Sequence, residues 1–269
     1  MKIGIVSLGL IGGSLFKCLS RTEFEVYAVT RNEETIAKAK KYTDNVSNDL
    51  QILKDCDVVF VASPINKTLE MLDKLESVVK QDCIVLDCAS VKEFVMKKKR
   101  PYKFIGSHPM AGTEFSGFDA GFKDLFVGAK WVLTPSSDTM QDDIETVQKI
   151  ISKTGAQCIV ADAKEHDEAV ALISHMPLLV AQSIFKTAKD NSLALKLASS
   201  GFRDMTRLAT SNLEMAADMR LYNAENIKNS LQKLIKKIEF LENTKDAEIF
   251  VDIKNIRAGM YSNEGKNIL

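Results

Sequence analysis

No charge of one sign prevails in this chain: 36 Lys and Arg balance 36 Asp and Glu over 269 residues, a formal net charge of zero. A surface that neutralises many phosphates needs a basic excess, so a general nucleic-acid binder or a protein held to an anionic membrane is not expected. Cysteine is sparse and odd in number. The five, Cys18, Cys56, Cys83, Cys88 and Cys158, show no CxxC spacing. Most fall in apolar runs and read as small buried hydrophobes of a reducing compartment, with neither a disulfide framework nor a metal site implied. No apolar run looks long enough to span a bilayer, and residues 1–6 already read as a strand rather than a signal peptide. A cytoplasmic protein with no membrane or nucleic-acid partner is expected. Internal repeats, low-complexity tracts and a long linker are also missing. The run Lys97-Lys98-Lys99-Arg100 reads as a solvated helix end before Pro101.

Histidine is scarce too, and its placement is informative. The three histidines sit in Gly106-Ser107-His108-Pro109-Met110-Ala111-Gly112-Thr113-Glu114, in His166-Asp167-Glu168 and in Ser174-His175-Met176-Pro177. A chain that sets its few histidines among Ser, Asp and Pro points to an acid, a base or a substrate ligand.

The 45% hydrophobic content supplies a real core, and the length allows one large domain or two modest ones. Over the first ~160 residues short apolar runs alternate with helical patterns, the mark of a parallel sheet built from βαβ units. The expected strands are Lys2–Ser7, Glu25–Thr30, Val58–Ala62, Cys83–Asp87, Lys103–Ser107, Trp131–Thr134 and Gln157–Val160. Their continuous apolar character suits burial on both faces. Helices are expected over Gly12–Ser20, Glu33–Lys40 and Thr139–Lys153. After Val160 no convincing strand follows. Asp167–Lys189 reads as one apolar helix that Pro177 kinks or breaks. Between Asn226 and Glu242, Ile227, Leu231, Leu234, Ile235, Ile238 and Leu241 form a near-heptad seam, which packs either inside the subunit or against another. The tail after Asn243 has no clear pattern.

The run Ser7-Leu8-Gly9-Leu10-Ile11-Gly12-Gly13-Ser14 follows a strand and opens a helix, the setting a dinucleotide-binding turn requires. Gly9 admits a pyrophosphate, and Gly12 lets helix and sheet pack closely. Phosphate would sit on the helix N-terminus, where free N–H groups favour negative charge. Ser7 stands where the fingerprint has its first glycine, which predicts a somewhat different turn. At the end of the second strand, Thr30 and Arg31 replace the acid that binds the ribose hydroxyls in NAD-dependent chains. A hydroxyl beside a guanidinium suits a 2′-phosphate, so NADP is favoured over NAD. Gly9, Leu10, Ile11, Gly12, Thr30, Arg31 and Ser63 are the expected cofactor-contacting residues.

The Gly-rich turn, Asp87-Cys88-Ala89-Ser90-Val91-Lys92, the His108 block, His166-Asp167, Ser174-His175-Met176-Pro177 and Gly201-Phe202-Arg203-Asp204-Met205-Thr206-Arg207 occur in this order. Together they resemble the prephenate/arogenate dehydrogenases of tyrosine biosynthesis, from the turn to about Asn226. The resemblance implies an α/β chain. Residues 1–162 would form a Rossmann dinucleotide-binding domain, and residues 163–269 an all-helical domain for substrate binding and homodimerisation. It implies oxidative decarboxylation of prephenate or arogenate: a hydride leaves the hydroxyl-bearing ring carbon for NAD(P), and CO₂ departs as the ring aromatises. His108 would take the hydroxyl proton and Ser90 would orient it, although Ser90 also reads as a cap of a helix starting near Val91. Arg207 would hold a substrate carboxylate, with Asp204 fixing its guanidinium. His175 and Arg203 would also face the substrate. His166 and Asp167 read as capping or domain-interface residues. Many prephenate-specific members carry a second histidine three residues after the first; Leu178 stands there, so a polar contact to the substrate side chain is absent and relaxed selectivity towards arogenate is expected.

Two other readings compete. A β-hydroxyacid-dehydrogenase-type enzyme would use a lysine and an asparagine early in the second domain, faintly echoed by Lys186 and Asp190-Asn191, but it gives the His108 block no role. A non-catalytic NADP-sensing module would not need Ser90, His108 and Arg207.

Overall fold

The computed structural model describes residues 1–262. Eight strands form one sheet: β1 (Lys2–Val6), β2 (Glu25–Val29), β3 (Val46–Ser47), β4 (Val58–Val61), β5 (Ile84–Asp87), β6 (Lys103–Pro109), β7 (Lys130–Pro135) and β8 (Gln157–Val160). Their order is β3-β2-β1-β4-β5-β6-β7-β8, with every pair parallel except β6 with β7. Seven strands coincide with apolar runs of the sequence. The eighth, β3, is two residues long and leaves no pattern to read.

Alternate residues point to opposite faces of a strand. Ile3, Ile5, Phe60 and Leu86 accordingly join Leu15, Phe16 and Trp131 on one side of the sheet. Val6, Val59, Val61 and Val85 join Leu72 and Leu75 on the other. Both faces are therefore covered, which explains the unbroken apolar runs of β1, β4 and β5. Edge strand β8 departs from this expectation: Ile159 and Val160 are 44% and 49% exposed.

The helices are α1 (Leu10–Leu19), α2 (Glu33–Ala39), α3 (Ile65–Leu75), α4 (Glu93–Met96), α5 (Gln141–Ser152), α6 (Ala163–Val170), α7 (Met176–Ala188), α8 (Ser192–Leu197), α9 (Ser200–Thr206), α10 (Leu213–Tyr222), α11 (Ala224–Asn243) and α12 (Glu248–Ser262). Among the described residues no strand follows β8. The patternless tail continues as helix, and its last seven residues, 263–269, lie outside the described residues.

Helices α6 and α7 are joined by a π-helical turn at Ala171–His175. Pro177 at the start of α7 has no N–H to donate and crowds the preceding turn, so the break falls just before it. The joined helix Ala163–Ala188 spans 26 residues, with a window of mean hydropathy 1.4. It is thus long and apolar enough to cross a membrane, contrary to the reading of the sequence. The interruption by Asp167, His175 and Pro177 had hidden this. The same helix carries His166, Asp167 and His175, all buried, the first two against His108, Lys92 and Glu93.

The basic run before Pro101 also departs from expectation. Lys98 and Lys99 make surface ion pairs, but the Arg100 side chain is fully buried and donates to Asp73 and Glu76. It ties the segment after α4 to α3 rather than facing solvent.

Candidate functional site

The strand order reverses direction between β1 and β4, and ligands of such sheets bind at the carboxyl ends beside this switch point. The Gly-rich turn leaves β1 there. Ser7 adopts φ 71°, the only non-glycine residue with positive φ among the described residues. The serine therefore takes the left-handed conformation that the missing glycine would take, and the turn is not remodelled, contrary to expectation. Gly12 is obligatory: a Cβ on it would lie 2.0 Å from the Ser7 carbonyl oxygen. A Cβ on Gly9 would meet nothing within 4 Å, so the turn faces open space. Gly9 is the N-cap of α1 and offers no side-chain cap, which leaves the first N–H groups of the helix free for a phosphate. These features fit a dinucleotide. Ser63 lies at the end of β4, its hydroxyl 3.4 Å from that of Thr68. Thr30 and the exposed Arg31 follow β2, before the Asn32 cap of α2.

His108 lies near the carboxyl end of β6, half-buried. Its Nδ1 is 2.9 Å from His166 Nε2, and His166 Nδ1 is 2.8 Å from Asp167 Oδ1. Asp167 also accepts the N–H groups of Lys92 at 2.7 Å and Glu93 at 2.8 Å. A carboxyl group surrounded by donors is an anion, so His166 donates from Nδ1. Its Nε2 must then accept, and His108 donates from Nδ1. The chain of donors leaves the lone pair of His108 on Nε2. Burial, first, and then the neighbouring charges of His166, Lys92 and His175 hold His108 well below the ordinary histidine range. A neutral base results.

The strand beneath His108 is braced from below. Lys92, with no exposed surface, pairs with the buried Asp87 at the end of β5 and donates to the Ser107 carbonyl at 2.6 Å. Asp87 accepts from the backbone N–H of Ser107 at 3.0 Å, and Trp131 Nε1 donates to the Ser107 hydroxyl at 3.2 Å. Ser90 lies between these groups and α4. It does not cap that helix, which begins at Glu93; the carboxylate of Asp167 occupies the capping place from another element. The Ser90 hydroxyl is buried without a partner and makes no hydrogen bond to His108.

His175 is buried at the end of the π-helical turn. Its Nδ1 is 3.1 Å from Asn223 Nδ2, and its Nε2 is buried without a partner. Burial, against the partial opposition of Asp167, pushes it down to about 4. Arg207 opens the short 3₁₀ turn after α9, exposed and in no ion pair among the described residues. Asp204 does not fix it: the Asp204 carboxylate takes Arg203 Nε at 3.3 Å, on an exposed face. The three-residue spacing was a correct helical neighbour relation, but α9 ends at Thr206, the chain tightens into a 3₁₀ turn from Arg207, and Asp204 pairs with Arg203 instead. Leu178 is buried against Ala216, Met219 and Leu208, an apolar cluster with no polar group at that position.

The sequence reading sets both His108 and His175 at the substrate; in the structure His108 meets His166 and His175 meets Asn223. It reads His166 and Asp167 as capping or domain-interface residues, and the contacts are of that kind: Asp167 caps α4 from another element, and His166 meets the ring of His108. The buried His-Asp pair beside a lone candidate base was the available signal. Asn223 carried no signal at all. The β-hydroxyacid-dehydrogenase reading gains no support from side-chain placement. Lys186 is exposed on α7, and the Asn191 carboxamide is engaged in capping α8.

The family described as prephenate dehydrogenase, nucleotide-binding domain, matches residues 17–160. That described as prephenate dehydrogenase, dimerization domain, matches residues 162–253. A prephenate dehydrogenase of Lactococcus lactis is 31% identical over 285 residues, covering 98% of this chain and 78% of that protein. The crystal structure of a Synechocystis arogenate dehydrogenase superposes with a TM-score of 0.83 at 32% identity, over 99% of each chain. That of a prephenate dehydrogenase from Aquifex aeolicus, solved with hydroxyphenyl propionate and NAD+, gives a TM-score of 0.80 at 29% identity, over 99% of this chain and 96% of that one. With both halves matched in this order and 31% identity to a relative along nearly its whole length, the chain belongs to the prephenate dehydrogenase family.

Proposed function

We propose that this protein is an NAD(P)-dependent prephenate/arogenate dehydrogenase of tyrosine biosynthesis. The observation that carries the proposal is the His108–His166–Asp167 chain, which presents an unprotonated Nε2 at the same carboxyl end of the sheet as the nucleotide turn. In this reading residues 1–162 bind the cofactor through Gly9, Leu10, Ile11, Gly12, Thr30, Arg31 and Ser63. Residues 163–269 complete the substrate site. The bound cofactor supplies the hydride acceptor. His108 removes the proton of the ring hydroxyl as the carbonyl develops, and the positive charge it gains is spread towards Asp167. Arg207 holds a substrate carboxylate, with Arg203 and Asp204 at the mouth, while His175 donates from Nε2 and Ser90 offers its free hydroxyl to the reacting oxygen. As CO₂ leaves, the electron pair of the broken C–C bond passes through the ring to the carbonyl oxygen, and the phenolate so formed takes back the proton that His108 had removed, which restores the neutral base.

Prephenate and arogenate share the ring and differ only in the side chain. The apolar surroundings of Leu178 offer that side chain neither a donor nor a cation, which favours acceptance of both. Incubation with each substrate and each cofactor, following the absorbance of reduced nicotinamide, tests the whole reading. Turnover of neither substrate would overturn it.

Two finer parts rest on particular residues. Arg31 is exposed after β2 and Thr30 stands in place of the usual strand-end acid, so NADP is the favoured cofactor. A preference in kcat/KM for NADP is expected, and Arg31→Ala is expected to erode it by ~10-fold, about the worth of a charge-assisted contact. A clear wild-type preference for NAD would reverse the assignment. Arg207→Ala is expected to raise KM for the carboxylate substrate by ~10–150-fold, corresponding to about 1.5–3 kcal/mol for a hydrogen bond to a charged group. Cofactor affinity should stay unchanged. An unaltered KM would move the carboxylate to another cation.

A homodimer through the helical region completes the proposal. Ile235, Ile238 and Phe240 on α11 and Phe250, Val251 and Ile256 on α12 are at least half exposed, more apolar surface than a helix pair leaves in water without a partner. A cytoplasmic location is part of the same reading.

A further inference from the structure

Asn223 stands between α10 and α11, 4% exposed, at the N-cap position of α11. An asparagine there ordinarily accepts the N–H two or three residues on. This one does not cap its helix. Its Nδ2 donates to the Asp167 carbonyl oxygen at 2.8 Å and lies 3.1 Å from His175 Nδ1, while its Oδ1 accepts from Asn226 Nδ2 at 2.8 Å. A carbonyl oxygen cannot donate, so the carboxamide group turned towards Asp167 is the NH₂. The same NH₂ meets His175, whose Nδ1 must therefore be the acceptor.

We propose that Asn223 is a positioning residue that fixes His175 as the Nε2–H tautomer, keeping a buried donor ready for the substrate. The role of His175 towards substrate rests on the function proposed above; the tautomer does not. Three features converge on it. The Nε2 of His175 is buried and without a partner in the protein, an expensive arrangement unless a ligand completes it. An imidazolium is disfavoured as well, because a proton on Nδ1 would face the Asn223 amide hydrogens. The titratable groups felt by His175 are Asp167 and His166; burial outweighs Asp167, and His166 acts with burial, to leave the ring neutral. Asn223 also holds the backbone of Asp167, so one side chain spans from the His108 relay to the second histidine. A sequence scan misses it, since the residue before a helix is an ordinary place for asparagine.

Nitrogen-15 NMR of the full-length enzyme with labelled histidine reads the tautomer directly, and three histidines keep the spectrum simple, with His175→Asn identifying the resonance. Near neutral pH, wild-type His175 should show an unprotonated Nδ1 and a protonated Nε2. In Asn223→Asp the carboxylate accepts where the amide donated, so the proton should move to Nδ1. In kinetics, Asn223→Ala should raise KM for the accepted substrate roughly tenfold with a smaller change in kcat. The double variant with His175→Ala should lose clearly less than the product of the two single losses, because the two residues share one hydrogen bond. A proton on Nδ1 in the wild type, an Asn223→Asp spectrum that keeps the wild-type tautomer, or losses that multiply in the double variant would each overturn the proposal. Wild-type enzyme that shows the expected tautomer yet turns over neither prephenate nor arogenate would instead count against the proposed function.

Discussion

Replacing His108 by asparagine should lower kcat by ~10²–10⁴, the usual worth of a positioned base, and leave cofactor affinity nearly unchanged. The selectivity of the effect follows from where the residue sits. His108 is on β6, while the Gly-rich turn leaves β1 three strands away, with β4 and β5 between them. Asparagine can still donate to His166, so the relay and the domain contact are kept and only the basic lone pair is lost. The pH profile adds a second reading. A base works when unprotonated, and burial holds His108 well below the histidine range. The acid limb of kcat/KM should therefore lie below about pH 6.5, where an unperturbed histidine would already be half protonated. Activity should persist as pH falls through that value and disappear only further down. His108→Asn should flatten that limb as well as lower the plateau. Near-normal turnover in a folded His108→Asn enzyme would remove the residue from the mechanism.

The residues that the sequence revealed and those it concealed differ in a physical way. Strands buried on both faces announce themselves as apolar runs, and seven were legible for that reason. The nucleotide turn was legible because glycine is demanded by contact, as the 2.0 Å approach at Gly12 makes plain. Ser7 was misjudged because a left-handed serine has the composition of an ordinary one. The candidate base was legible because histidine is rare here. What held it was not, since His108 and His166 are 58 residues apart and meet only when α6 packs beneath the sheet. Asp204 shows the converse error: the helical spacing to Arg207 was right, but the helix stops between them. Long-range hydrogen bonds and helix ends are properties of the packed chain, and no local pattern encodes them.

Asp167→Asn should cost ~10²–10³ in kcat and also lower the stability of the protein. The carboxylate serves three donors: Lys92 N–H and His166 Nδ1–H at one oxygen, Glu93 N–H at the other. A carboxamide has one acceptor. If its oxygen takes the first place, the NH₂ faces Glu93 N–H and the cap of α4 is lost. If its oxygen takes the second, the NH₂ faces both Lys92 N–H and His166, and His166 must accept at Nδ1. The proton of His166 then sits on Nε2, against His108, which must turn its own proton to the atom meant to receive the substrate's. Either way the negative charge that stabilises the histidine cation formed in the reaction is gone, which is the larger catalytic loss. The unpaired buried N–H costs about 1–3 kcal/mol, so the thermal midpoint should fall in the same variant. The two effects are separable. Activity measured well below the new midpoint, per mole of folded enzyme, should remain depressed at least a hundredfold, with cofactor Kd unchanged. Recovery of full kcat once the folded fraction is taken into account would reduce Asp167 to a helix cap and leave His108 to work without a relay.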